Sequence, residues 1–463
     1  MIGRTALSLA LAMGSAVATP SFAQDAPYQR EARQVLERVV GFRTAAGHAQ
    51  VPAMVGYLTG VLRAGGVSAA DIVTIPHGET VALLVRVPGQ DASARPILLS
   101  SHMDVVDARP EDWQRSPYTL IEENGYFFGR GTTDNKTGVV SLVSTVLRLT
   151  AGGHRPRRTL VFAFVGDEET EMKTTELIAA HDWVRTAEYA INTDAGGGNL
   201  SDDGKPLYYG VQGAEKTYVD FQLVTTNPGG HSSRPRADNA IYDLARAIGR
   251  IEQHRFEVRW NALTRSYLGT IAPVVAGQVG DALRRFAANP DDREAADILW
   301  RVPEYVGTTR TTCVATMLEA GHAPNALPQR ATATVNCRLF PGDTVADVRR
   351  ALGEVIGNPA IRVETLGKPE PSPVSEPRAD VMEAIARSIH ARYPGVPITP
   401  YLESGGTDGK VYRTAGIPTW ATSGAFMKDS EMFAHGLDER IPVKAFYDAL
   451  EHIHDLAVAL GRE

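Results

Sequence analysis

Cysteine is nearly absent: Cys313 and Cys337 are the only two in 463 residues, too few for a disulfide framework, so a conventional apolar core has to hold the fold. Positive charge is also in short supply. Lys and Arg number 47 against 54 Asp and Glu, a formal net charge of -7, and no basic run is long enough to attract nucleic acid. Beyond the N-terminal segment no apolar run reaches transmembrane length. Internal repeats and low-complexity tracts are missing too, and a composition of 43% hydrophobic and 22% charged residues excludes a fibre or a disordered chain. What is left is a globular protein with length enough for two domains.

The N-terminal segment MIGRTALSLALAMGSAVATPSFAQ places Arg4 before a short apolar stretch and Ser21-Phe22-Ala23 before Gln24. That order reads as a secretory leader, residues 1–23, cut after Ala23. A membrane anchor is the alternative, disfavoured by the short apolar part and the lack of a basic flank. The mature chain is expected outside the cytoplasm, most simply in a bacterial periplasm, with no membrane contact after cleavage. In such a compartment Cys313 and Cys337 could pair. They lie on strand-like stretches flanking HAPNALPQ, and a hairpin there sets them opposite each other; two buried free thiols are the alternative.

After the leader, helical spacing in EARQVLERVVGF and VPAMVGYLTGVLRAGG precedes nearly all-apolar strand runs in ETVALLVRVPG, RPILLSSHMDVV, RTLVFAFVGDEE and EYAINTDAGGG. Helices alternating with such strands predict an α/β domain, a mixed and largely parallel sheet covered by helices on both faces. The texture changes near residue 213. Strands there alternate apolar and polar residues around two amphipathic helices, which predicts an inserted α+β domain over 213–368 with one sheet face open. Inside it, about 257–308, sits a helical insertion of no evident purpose. KPEPSPVSEPRAD reads as a return linker, so 24–212 and 369–463 form the first domain together.

Polar groups follow each strand of that first domain. RPILLSS runs into His102-Met103-Asp104, FGRGTTDNKTG carries Asp134, VFAFVG runs into Asp167, Glu168 and Glu169, YAINT leads to Asp194, and GIPTWATSG is followed across a loop by His435. Ligand crevices in open α/β sheets lie at the carboxyl ends of the strands, so these groups can meet at one place. Imidazoles and carboxylates meeting there form a donor set for a divalent ion such as zinc. Asp167 and Glu171 read as solvated turn residues.

HMDVVD, GRGTTDNKTG, GDEE, NTDAG, GGHSS and AHG occur in the order and approximate spacing of the M20 dinuclear zinc peptidases, and the chain resembles that family over nearly all its mature length. The resemblance implies one metal on His102 and Asp194, a second on Glu169 and His435, and Asp134 bridging them. Two Zn²⁺ are expected, with Co²⁺ or Mn²⁺ fitting the same ligands. It further implies Asp104 as the carboxylate that takes the other ring N–H of His102, and Glu168 as general base and acid for a metal-bridged hydroxide. The inserted domain corresponds to a ferredoxin-like lid and dimerisation domain, from which His231 reaches the partner subunit's site in dimeric members. Arg338 and Asn325 match positions that hold a substrate carboxylate, and Gly406, in SGGTDG, belongs to a loop beside the substrate. Two departures stand out: Leu437-Asp438-Glu439 follows AHG where Pro-Asn-Glu is common, and Thr170 follows GDEE in place of glycine.

The activity so implied is amide-bond hydrolysis releasing an amino acid. A carboxypeptidase or dipeptidase comes first, an N-acyl-amino-acid hydrolase second, and a metal-free binding protein on the same fold last. An acidic group set for a free amine would favour dipeptides, and an apolar wall would favour acyl chains.

Overall fold

Side chains of successive strand residues point to opposite faces, and the strand Leu160–Val165 divides its burial accordingly: Phe162 and Phe164 enter one apolar cluster, Val161, Ala163 and Val165 another. The same division holds for Thr80–Val87 and Ile97–His102, so the sheet they form is covered on both faces. The computed structural model describes residues 26–153 and 155–462; the leader expected at 1–23 lies outside them.

That sheet has ten strands. Its path runs Ile72–His77, Thr80–Val87, Leu160–Val165, Ile97–His102, Tyr189–Asn192, Thr419–Ala421, Pro206–Glu215, Gly197–Leu200 and Phe426–Lys428, with Ile398–Glu403 pairing Pro206–Glu215 off the path. Its centre is parallel, and antiparallel pairs occur on both flanks. The larger cluster is closed by helices Pro27–Val40, Val51–Ala64, Lys136–Ala151, Ala379–Arg392 and Val443–Arg462, and the other face by Lys173–Ala180 and Gly409–Thr414. This is the mixed α/β sheet expected from sequence.

The chain leaves this sheet at Lys216, past the boundary expected at 212, because Pro206–Glu215 completes its pairing with Ile398–Glu403 first. It then builds a four-stranded antiparallel sheet in the order Thr312–Ala320, Arg330–Leu339, Thr217–Thr226, Arg362–Leu366. Helices Ala240–Gln253 and Val345–Ile356 bury one face of it. Cys313 stands directly opposite Cys337 across the first two strands, and the pair is disulfide-bonded with Cα atoms 4.1 Å apart. Four helices, Ala262–Ile271, Gly277–Ala288, Arg293–Trp300 and Pro303–Val306, intervene before Thr312–Ala320. They have a core of their own around Leu283 and Phe286, and the first of them packs against Ile398–Glu403 of the large sheet. Among the described residues no helix is long and apolar enough to cross a membrane.

Candidate active site

Three parallel strands set the site. Ile97–His102, Leu160–Val165 and Tyr189–Asn192 lie side by side in register, so their carboxyl ends share one edge. His102 ends the first, Glu168 and Glu169 follow the second, and Asp194 follows the third. Asp134 arrives at the same edge on the loop ahead of Lys136–Ala151. His435 comes from the loop ahead of Arg440–Pro442, in the left-handed backbone region at φ 62°.

The two imidazoles divide the carboxylates between them. His102 Nε2 lies 2.9 Å from Asp134 Oδ1 and 3.1 Å from Asp194 Oδ1. His435 Nε2 lies 3.0 Å from Asp134 Oδ2 and 2.9 Å from Glu169 Oε1. Asp134 therefore turns one oxygen to each imidazole. A four-coordinate ion with bonds of 2.0–2.1 Å separates its ligand atoms by about 3.3 Å, so both triads need only a slight expansion to hold a divalent cation. His102, Asp134 and Glu169 also group within 4.8 Å, as do His102, Glu168 and Asp194. Proximity alone thus brings in Glu168, but it joins neither imidazole–carboxylate triad.

Electrostatics make the same point. Burial opposes a charge on fully enclosed His102, yet Asp194, Asp104 and Asp134 raise its pKa well above the ordinary imidazole value. Asp134 and Glu169 push His435 up to about 10. Burial, reinforced by Asp134 and Glu169, pushes Asp194 up to about 7. Carboxylates this close to two imidazoles favour the protonated form of each ring. Glu168 is raised well above the carboxylate range by burial first, then by Asp194.

Behind this layer, the expected role of Asp104 needs correction. Its backbone carbonyl, 3.0 Å from His102 Nδ1, accepts the ring N–H, while its carboxylate stands 3.6 Å away. That carboxylate instead accepts the backbone N–H groups of Glu168 at 3.1 Å and Glu169 at 2.9 Å, so it fixes the turn that carries both. Asp167 is likewise no solvated turn residue. It is buried and accepts the N–H groups of Lys173 and Thr174 at the start of the next helix.

Three further residues belong to the site's support. Glu439, fully enclosed, accepts N–H groups of Gly131, Thr133 and Asp134 and pairs with Arg130 at 2.8 Å, tying the His435 loop to the Asp134 loop. Asn135 donates to Asp194 Oδ1 at 3.1 Å. Asp408, buried and held by the Thr175 hydroxyl, is pushed up to about 8 by burial and then by Asp194 and Asp104. Glu439 was visible only as the end of a departure from the family pattern, and Asp408 only as a neighbour of Gly406.

From Asp134 and Asp194 a cavity of about 510 Å³ extends between the large sheet and the helical insertion. Gly406 lines it, together with Tyr208, Tyr267, Tyr401, Met427 and Ile453. His231 and Asn325 sit elsewhere, exposed on a ribbon in which Gly230–His231 pairs with Ala326–Leu327 and Ser232 donates to the Asn325 carbonyl. Arg338 is half-buried on the smaller sheet, its guanidinium 4.5 Å over the Tyr218 ring, with no carboxylate within 4.0 Å among the described residues. These three residues are not brought to the cluster.

Residues 98–459 match the family described as Peptidase family M20/M25/M40. The N-fatty-acyl-amino acid synthase/hydrolase PM20D1 of Homo sapiens is 29% identical over 384 residues, spanning 81% of this chain and 76% of its own. Among solved structures, the M20 family metallo-carboxypeptidase Sso-CP2 of Sulfolobus solfataricus superposes with a TM-score of 0.68 at 19% identity, over 93% of this chain and 99% of that one. The Bacillus subtilis YXEP protein, described as a dinuclear metal binding peptidase, does so at 0.57 and 14%, over 94% and 98%. At such identities the superpositions establish a shared fold.

Proposed function

Because this chain belongs to peptidase family M20/M25/M40, we propose that it is a secreted, metal-dependent amide hydrolase that releases an amino acid from an N-acyl amino acid. The observation that carries the acyl half is the cavity beside the cluster, walled by aromatic and aliphatic side chains. Of the two further carboxylates that line it, Glu403 accepts the Tyr401 hydroxyl and the N–H groups of Ser404 and Gly405, and Asp429 accepts the Asn199 amide, so both are already engaged. Carboxypeptidase or dipeptidase action, placed first from sequence, becomes the second reading.

His102, Asp134 and Asp194 would hold one cation and His435, Glu169 and Asp134 the other, with two Zn²⁺ the assignment that suits nitrogen and carboxylate oxygen together. Bound there, the ions supply Lewis acidity to the scissile carbonyl and lower the pKa of an attacking water. Glu168, which joins neither imidazole–carboxylate triad, takes the proton from that water and returns it to the leaving nitrogen. Asp104 keeps Glu168 and Glu169 on opposite duties by anchoring the backbone of each. Arg338, lacking a carboxylate partner, receives the amino acid's carboxylate bidentately, and Asn325 assists.

A homodimer brings His231 to the partner subunit's site, where it stabilises the oxyanion. Support for a second copy comes from the edge strand Thr312–Ala320, which leaves Val314, Met317 and Leu318 at 61%, 69% and 66% exposure. The leader pattern and the Cys313–Cys337 disulfide support an oxidising, periplasmic location.

The deciding experiment is a panel of N-acyl amino acids, dipeptides and longer peptides, assayed after chelation and add-back of Zn²⁺, Co²⁺ or Mn²⁺. N-acyl amino acids should be preferred and activity should return with metal. Preference for free-amine dipeptides would overturn the acyl reading, and full activity after exhaustive chelation would overturn the metal reading.

A further inference from the structure

The helical insertion has no place in the chemistry above, yet one of its residues lines the cavity. Tyr267, on Ala262–Ile271, packs its ring 5.9 Å from Tyr208 and 5.8 Å from Tyr401. The hydroxyls on this wall are occupied among themselves: Tyr208 and Tyr267 meet at 3.4 Å, and Tyr401 donates to Glu403 while accepting the Gly196 N–H. The wall therefore offers a ligand ring carbon, with its polar atoms already engaged. Behind it, Tyr208 and Tyr267 pack on the insertion's own core, around Leu268, Leu283 and Phe286. The two rings are a partition with the substrate cavity on one side and a second apolar interior on the other.

We infer that Tyr267 is a specificity-determining residue, a stop contributed by the insertion that limits the length of the acyl chain the cavity accepts. This rests on the acyl-amino-acid reading. The stop works through bulk. Removing the ring extends the cavity by the volume the ring occupied, toward the insertion's core, and each further methylene then buried improves kcat/KM about fourfold. A larger ring shortens the cavity by the same logic. The phenol hydroxyl has no part in the limit, so Phe should serve as well as Tyr.

The test is the ratio of kcat/KM for hexadecanoyl over octanoyl amides of one amino acid, in the metal-loaded enzyme. Tyr267→Ala should raise that ratio by on the order of tenfold or more, Tyr267→Trp should lower it, and Tyr267→Phe should leave it where it is. A folded Tyr267→Ala enzyme with an unchanged ratio overturns the inference. Should the alanine variant not fold, Tyr267→Trp decides: an unchanged ratio overturns it and a lowered one upholds it. If the wild-type enzyme cleaves dipeptides and no N-acyl amino acid, the acyl reading has failed separately. The variants are then compared on dipeptides of growing N-terminal side chain, where a shifted size limit upholds the role of Tyr267 and an unshifted one ends it.

Discussion

At the edge of the large sheet, donors from five separate stretches already stand within hydrogen-bonding reach of one another, whereas on the smaller unit His231, Asn325 and Arg338 face no common point. The difference follows from how each group is delivered. Parallel strands in register bring their ends together as a consequence of pairing, so His102, Asp194 and the Asp104-anchored turn bearing Glu168 and Glu169 arrive at one edge. The residues of the smaller unit hang on a second body, so they complete a site only through a change in its placement or through another subunit.

That contrast can be broken at several points. Glu168→Gln keeps the assembled edge but removes the proton carrier, and kcat should fall by about 10²–10⁴ while metal analysis still finds two ions; loss of metal instead would make Glu168 a ligand. Mixing inactive Glu168→Ala chains with inactive His231→Ala chains should restore about a quarter of wild-type activity through mixed dimers, read as kcat per chain after equilibration. No recovery would place His231 outside the partner subunit's chemistry. Glu439→Gln attacks the edge from behind. It leaves Arg130 without its counter-charge and loosens the Asp134 loop, so metal affinity should drop by about 10–100-fold in chelator competition. Arg338→Ala, on the smaller unit, should raise KM by about tenfold with kcat nearly retained, since the lost contact is to a part of the substrate that does not react.

The smallest expected effect concerns acid. His452, enclosed between Ser388 and Thr422, has its pKa depressed to about 3 by burial and by Arg392. Between that value and the ordinary 6.5 the unfolded chain binds a proton that the folded chain refuses, so stability is complete above about 6.5 and falls as pH drops, by at most about 1.4 kcal/mol per unit. Urea unfolding of wild type and His452→Gln at pH 5 and pH 7 should show a shallower acid loss in the variant. An identical loss would move the acid sensitivity away from the helix Val443–Arg462.

Sequence carried much of the assembled edge because each donor follows a strand in a recognisable motif, so topology alone implies convergence. The place of Asp134 between the His102 and His435 sides was implied by the family resemblance, and coordinates added which oxygen faces which imidazole. Supporting residues were harder. Asp167 reads as one more acid in GDEETE, and the helix it caps starts six residues on, too far for a local capping pattern to signal. Asp104 was assigned the right neighbours with the wrong atoms, since carbonyl and carboxylate of one residue cannot be told apart by spacing. The insertion showed its helical periodicity plainly, but its docking on Ile398–Glu403 is a long-range contact that periodicity does not encode.

Asp104 also fixes an order of loss. Its carbonyl steadies the ring of His102, and its carboxylate steadies the turn bearing Glu168 and Glu169, so two strand ends behave as one body. His435 stands apart from that body. Its side chain is half exposed, against none for His102, and Glu439, four residues along, is the tether that binds its loop to the Asp134 loop. If two cations bind as proposed, the one held by His435 and Glu169 should be the first to leave under slow dialysis, with the fold and the inner half-site still in place.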